Sequence, residues 1–304
     1  MRSAFIEKLE LAMANDPLIY VLTADLGFRV FEGIKDKFPH QYTNVGVCEA
    51  NMIGVAAGLA MNGFKVFVYS TAPFVTSRCY EQIKNSICYD NLNIKIIGVG
   101  GGFSYGAQGV THHSVEDVAI MRALPNMAVV CPADKNETAA IADLIINHTG
   151  PLYLRLGRNY EIDQQFNQID LKLGWGIVYQ SQGEVAIFST GNILNLSLEV
   201  FKELSKQGIK ARVISLPIVK PLDKELILKT AQEVKAIFTL EENSIIGGLG
   251  SAVADILAEG QSKVIFKKFG LPDKFIRDVG SQDYLRDKAG LSAETVVKEI
   301  KRLI

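Results

Sequence analysis

At 304 residues, with 48% hydrophobic and 21% charged side chains, the chain can fill two domain cores and is too apolar to be disordered. A net charge of −1 without any basic block argues against nucleic acid or an anionic membrane as partner, and no run of about 18 apolar residues is present to span a bilayer. Phe5, Ile6, Leu9 and Met13 recur at helical spacing between charged residues and predict an amphipathic helix rather than a signal peptide. Residues 18–24 predict a buried strand ending at Asp25. Further strands are expected at 45–47, 65–69, 94–99, 127–131 and 152–156, separated by helices near 52–62, 76–89, 114–123 and 135–148. A polar stretch near 157–172 reads as a crossing to a second domain. Alternation then resumes with strands at 184–189, 211–215, 235–240 and 263–268 and helices at 193–207, 223–233, 249–258 and 293–303. Pro217 to Pro221 is expected to form a rigid turn.

This pattern predicts an α/β protein of two three-layer α/β/α domains, each with a mostly parallel sheet. The expected boundaries are 1–160, a linker at 161–178, and 179–304. Parallel sheets bind ligands beyond the carboxyl ends of their strands, where Asp25, Glu49, Ser70 and Gly100 fall. The four cysteines form no C-x-x-C pair, and Cys79 and Cys88, nine apart in an expected helix, should point to opposite faces. A reduced, cytoplasmic chain is the simplest reading.

Residues 44–63 carry the strongest chemical signal. Glu49 lies between an apolar stretch (Val45, Val47) and a helix of small residues (Gly54, Ala56, Ala57, Gly58, Ala60), with Asn51 the expected N-cap. Two glycines inside a helix cost about 1 kcal/mol each relative to alanine, which implies a close-packed interface. A carboxyl group in such surroundings is hydrogen-bonded or protonated, and either state suits proton chemistry at a heterocycle; the plainer reading is a loop glutamate reaching solvent. Gly98 to Gly102 follow a strand, but neither G-x-G-x-x-G register is completed and no Walker-type Gly-Lys-Ser/Thr exists. These glycines are read as letting the backbone run close to a ligand or another chain.

The run Asn44-Val45-Gly46-Val47-Cys48-Glu49-Ala50-Asn51-Met52, followed by Ala56-Ala57-Gly58-Leu59-Ala60, resembles the pyrimidine-binding domain of thiamine-diphosphate enzymes, above all transketolases. The second half, with Glu241-Glu242-Asn243 and Gly247-Gly248-Leu249-Gly250, resembles the transketolase C-terminal domain. The resemblance implies the thiamine-diphosphate-binding fold, with Glu49 hydrogen-bonding the aminopyrimidine ring and Phe74 stacking on it. It implies that Asp25 and Arg78 lie near the cofactor, Arg78 either in contact with ligand or in a structural ion pair. His112 matches a substrate-facing histidine, with His113 beside it. Arg2 and Arg155 match positions that bind a sugar phosphate. Gln108 stands where the family carries an acid that reads a donor hydroxyl, and Gly100 to Gly102 fill a stretch where another histidine is usual. The donor is therefore expected to differ from an ordinary sugar phosphate.

No Gly-Asp-Gly occurs, so the resemblance covers two of the family's three domains. It implies the smaller subunit of a split transketolase, with no metal ligands of its own and Mg2+ held by a diphosphate-binding partner subunit, two copies of each. The expected activity is transfer of a two-carbon ketol unit from a keto-sugar to an aldehyde. The alternatives are the β subunit of a 2-oxo-acid dehydrogenase, a deoxyxylulose-phosphate-synthase-like enzyme, or a degenerate scaffold.

Overall fold

A computed structural model describes residues 1–27, 30–157 and 172–304. Its first sheet contains β1 (Ile19–Thr23), β2 (Tyr42–Asn44), β3 (Lys65–Thr71), β4 (Ile94–Val99), β5 (Ala128–Val130) and β6 (Leu152–Leu156). The second contains β7 (Ile177–Gln180), β8 (Val185–Thr190), β9 (Ala211–Ser215), β11 (Ala236–Ser244) and β12 (Ile265–Leu271). The remaining strand, β10 (Ile218–Lys220), leaves the second half and joins the first sheet. The orders are β10-β5-β6-β4-β3-β1-β2 and β12-β11-β8-β9-β7. All pairings are parallel except β10 on β5 and β7 on β9. The expected three-layer α/β architecture is what the chain forms.

The central strands of each sheet are apolar and buried on both faces, while the edge strands β2, β7 and β12 are partly exposed. On one face of the first sheet, Met52, Ile53, Val75, Ile83, Val118 and Met121 pack on Val66, Val68, Ile94 and Ile96. On the other, the predicted N-terminal helix (Arg2–Met13) seats Phe5, Leu9 and Met13, beside Ile141 and Ile145, against Val21, Phe67 and Ile97. The first of these cores continues without a break to Phe188, Ile237, Val253 and Ile256 of the second half, so the two sheets share apolar packing.

Several expectations are corrected. The strand placed at 45–47 forms at 42–44 instead, because Gly46 adopts φ 81° and turns the chain. The helix begins at Glu49, with Cys48 as a side-chain-silent N-cap, so Asn51 lies inside it rather than capping it. The expected helix at 76–89 is a broken series of short α, 3-10 and π turns over 72–88. Cys79 and Cys88 consequently do not face opposite ways; both are buried in the same core. The turn expected at Pro217–Pro221 contains β10. Helices at Glu32–Lys37 and Gln282–Lys288, and β7, had no sequence expectation. Part of the expected linker lies outside the described residues, and its remainder runs into β7.

Candidate active site

β1, β2, β3, β4 and β6 all end at one edge of the first sheet, and the polar cluster there is built from the turns that follow them. Beyond β2, Asn44 organises the turn: its Oδ1 accepts from the backbone N–H of Asp25 (2.9 Å) and of Gly46 (3.0 Å), and its Nδ2 donates to Asp25 Oδ1 (3.1 Å). Asp25 is thereby fixed at φ 53°, an unusual region for a residue with a Cβ. It is exposed and serves the turn that delivers the chain to Glu49.

Glu49 is only 1% exposed. Its Oε1 accepts from the Ser70 hydroxyl at 3.0 Å, and its Oε2 from Arg78 Nη1 at 2.6 Å. The Arg78 side chain is 49% exposed, and its guanidinium lies 4.4 Å from the centroid of the Phe74 ring. The His112 ring meets Phe74 edge-on at 5.0 Å, and Tyr105 approaches His112 at 6.4 Å. Glu49, Arg78, Phe74 and His112 thus form one contiguous group. Burial, together with the neighbouring charge of His113, lowers the pKa of His112 below its ordinary 6.5, so the imidazole is neutral at pH 7. Its Nδ1 lies 3.0 Å from the Thr111 hydroxyl. Beneath the group, burial and then the Glu49 charge push the Cys79 thiol up to about 12, leaving it unreactive.

Arg2 and Gln108 line an adjoining cavity of about 460 Å³ with Ser3, Gly100, Tyr105 and Gly157. Tyr105 is thus common to this cavity and to the His112 group, a role the sequence reading missed. Its position explains Gly100: at φ 86°, any Cβ there would collide with the Tyr105 ring.

Two expected ligand contacts lie elsewhere. Arg155 is 4% exposed and occupied as a brace: Nε donates to Asp117 Oδ2 (2.8 Å), and Nη2 to the carbonyls of Ser114 (2.8 Å) and Glu242 (3.0 Å). A guanidinium spent on these acceptors joins the two halves of the chain rather than facing the cavity. His113 is likewise buried, with Nε2 3.4 Å from the Gly106 carbonyl and its ring edge-on to Phe103. The sequence offered a signal for neither, since a residue type shows its charge but not its partners. Among the described residues no group of three His, Cys, Asp or Glu side chains could hold a metal ion, and no helix is long and apolar enough to cross a membrane.

A two-sheet α/β chain with its polar groups gathered at one carboxyl edge has the layout of an enzyme component that handles a small ligand there. The pyrimidine binding domain of transketolase matches residues 1–160, and the transketolase C-terminal domain matches residues 174–296. The chain belongs to the transketolase family. It is 37% identical over 299 residues to the 6-deoxy-6-sulfo-D-fructose transketolase subunit SqwH of Clostridium sp. strain MSTE9, covering 98% of this chain and 92% of that one. It is 34% identical over 307 residues to one of the subunits of the apulose-4-phosphate transketolase of Phocaeicola vulgatus, covering 99% and 97%. Among solved structures, a split gene transketolase described as an inactive beta4 tetramer superposes with a TM-score of 0.89 at 37% identity, covering 99% and 97%. Membership of this family implies dependence on thiamine diphosphate.

Proposed function

We propose that this chain is the pyrimidine-side subunit of a split transketolase, completed by a second chain that holds the diphosphate and Mg2+. The observation that carries the proposal is a buried carboxylate, Glu49, joined through the Arg78 guanidinium to the face of Phe74, whose ring in turn meets His112 edge-on. The side chains suit the aminopyrimidine half of thiamine diphosphate: an acid for a ring nitrogen and an aromatic wall for the ring face. When bound, the cofactor supplies the nucleophilic carbon and the electron sink for the two-carbon unit.

Glu49 orients the ring nitrogen and controls the proton at that atom. His112, neutral at pH 7, takes or returns a proton at the oxygen of the donor's carbonyl or adjoining hydroxyl. Arg2 meets the anionic end of the sugar in the cavity it shares with Gln108, whose amide reads a hydroxyl without repelling an anion. A keto-sugar bearing phosphate or another tetrahedral anion fits this set. The relatives named for sulfofructose and apulose phosphate support a donor outside the common ketose phosphates. One face of helix 49–61, with Asn51, Gly54, Val55, Gly58 and Met61, is exposed, and Cβ atoms built on Gly54 and Gly58 would meet nothing within 4 Å. Such a small-residue face supports close contact with another chain, and two copies of each subunit are the proposed assembly. Four free cysteines suit a reducing compartment such as the cytoplasm.

The test is reconstitution. The chain is assayed alone and with a diphosphate-domain subunit, Mg2+ and thiamine diphosphate, using sulfofructose, apulose 4-phosphate, xylulose 5-phosphate and a 2-oxo acid as donors, each with an aldose phosphate as the aldehyde acceptor. Turnover is expected only for the pair and only with a keto-sugar. Turnover by the chain alone would refute the split arrangement, and turnover with the 2-oxo acid alone would replace ketol transfer with oxo-acid chemistry.

A further inference from the structure

Arg78 makes both of the contacts that an aromatic heterocycle would need in this pocket. Its Nη1 donates to Glu49 Oε2 at 2.6 Å, and its guanidinium lies 4.4 Å from the centroid of Phe74. A guanidinium is flat, delocalised and a donor at its edge, so it shares shape and bonding pattern with a protonated ring amidine. The other Glu49 oxygen is already taken by Ser70, and the carboxylate is closed to water. A ring that is to bond Glu49 and lie on this face of Phe74 therefore has to exchange with Arg78. The Arg78 side chain is 49% exposed on a short 3-10 turn, so it can swing outward without unpacking the core.

We infer that Arg78 is an internal stand-in for the pyrimidine ring, seated between Glu49 and Phe74 and displaced when the ring arrives. This inference rests on the cofactor reading above and adds to it a cost. The subunit binds the ring with an affinity scaled down to the fraction of molecules in which Arg78 has already swung away. The stand-in has a corresponding use: it keeps a buried carboxylate paired until its ligand takes over, where an unpaired charge would be costly. Arg78 is on this account a positioning residue for Glu49.

The experiment is calorimetric titration of the full chain, without partner, with thiamine, which carries the ring but no diphosphate. Wild type is compared with Arg78→Leu, Arg78→Gln and Glu49→Gln. Arg78→Gln keeps a donor for Glu49 and serves where Arg78→Leu does not fold, as judged by thermal melting. The stand-in predicts binding about 5- to 10-fold tighter in the folded Arg78 variant than in wild type. Equal or weaker binding in that variant, or no binding to either protein, overturns it. If the variant binds no tighter while Glu49→Gln abolishes wild-type thiamine binding, the stand-in fails and the cofactor reading survives. If Glu49→Gln leaves thiamine binding unchanged, both fall.

Discussion

Both sheets place glutamates at the carboxyl ends of their parallel strands, yet the two edges treat them in opposite ways. In the second sheet, Glu241 accepts from the backbone N–H groups of Leu249 (2.7 Å) and Gly250 (2.8 Å) at the start of helix 249–259. Glu242 is enclosed by Arg286, by Gln282 Nε2 at 2.9 Å and by the Phe103 N–H at 2.5 Å. Those partners are themselves buried or belong to the backbone, so these acids fasten secondary structure. In the first sheet, Glu49 is equally buried, but its strongest partner is a half-exposed arginine that can leave. Burial alone does not distinguish a chemical acid from a structural one; the exposure of its partner does.

The comparison breaks first on Glu49. In the reconstituted pair, Glu49→Gln is expected to lower turnover by about a thousandfold or more, the scale of a lost proton-transfer group, while the melting temperature stays near wild type. Glu241→Gln should retain turnover within a few-fold in the same steady-state assay, because Glu241 serves the start of helix 249–259, where an amide oxygen can still accept from one of its two N–H partners. Next comes Glu242→Ala, which removes the buried carboxylate that Arg286 and Gln282 share. Urea unfolding should register a loss of about 3–5 kcal/mol, with thiamine affinity of the folded fraction unchanged.

A fourth acid sits at the seam between the halves and sharpens the contrast. Glu137 is fully buried, accepts from Tyr179 Oη (3.0 Å) and from the Ala133 N–H (2.7 Å), and burial raises its pKa from an ordinary 4.5 to about 7. Its folded value exceeds its unfolded one, so its contribution is fully present below about pH 4.5 and is lost as pH rises through 7. The loss attributable to it is about 3 kcal/mol. Glu241, also raised to about 7 by burial, acts in the same direction. Glu137→Gln should therefore reduce, not abolish, the loss of unfolding free energy that these two acids cause as pH rises through 7. The smallest effect belongs to Asp223, whose Oδ1 caps helix 224–233 through the Leu226 N–H at 2.9 Å. Asp223→Ala should cost about 1 kcal/mol in urea unfolding and leave thiamine binding alone.

The sequence revealed what repeats and concealed what depends on distant partners. Apolar runs at 65–71, 94–99 and 152–156 form strands within a residue or two of expectation, since a buried parallel strand needs only consecutive apolar side chains. Glu49 was legible because an acid among small apolar residues has few reasons to be there. Arg155 was misplaced because its acceptors, Asp117 and two carbonyls, lie 38 or more positions away in the chain. Tyr105 went unread because its role follows from the fold of the glycine-rich loop. β10 escaped because Ile-Val-Lys between two prolines carries no periodic signal and becomes a strand only where β5 offers an edge.

That short strand decides how the gene could be cut. With Ile218–Lys220 laid antiparallel along β5, the later half of the polypeptide finishes a structure begun by the earlier half. A truncated product ending before residue 218 would leave the β5 rim unpaired, a template for self-association. Swapping the two halves between relatives would succeed only if this three-residue tab travelled with a rim it fits.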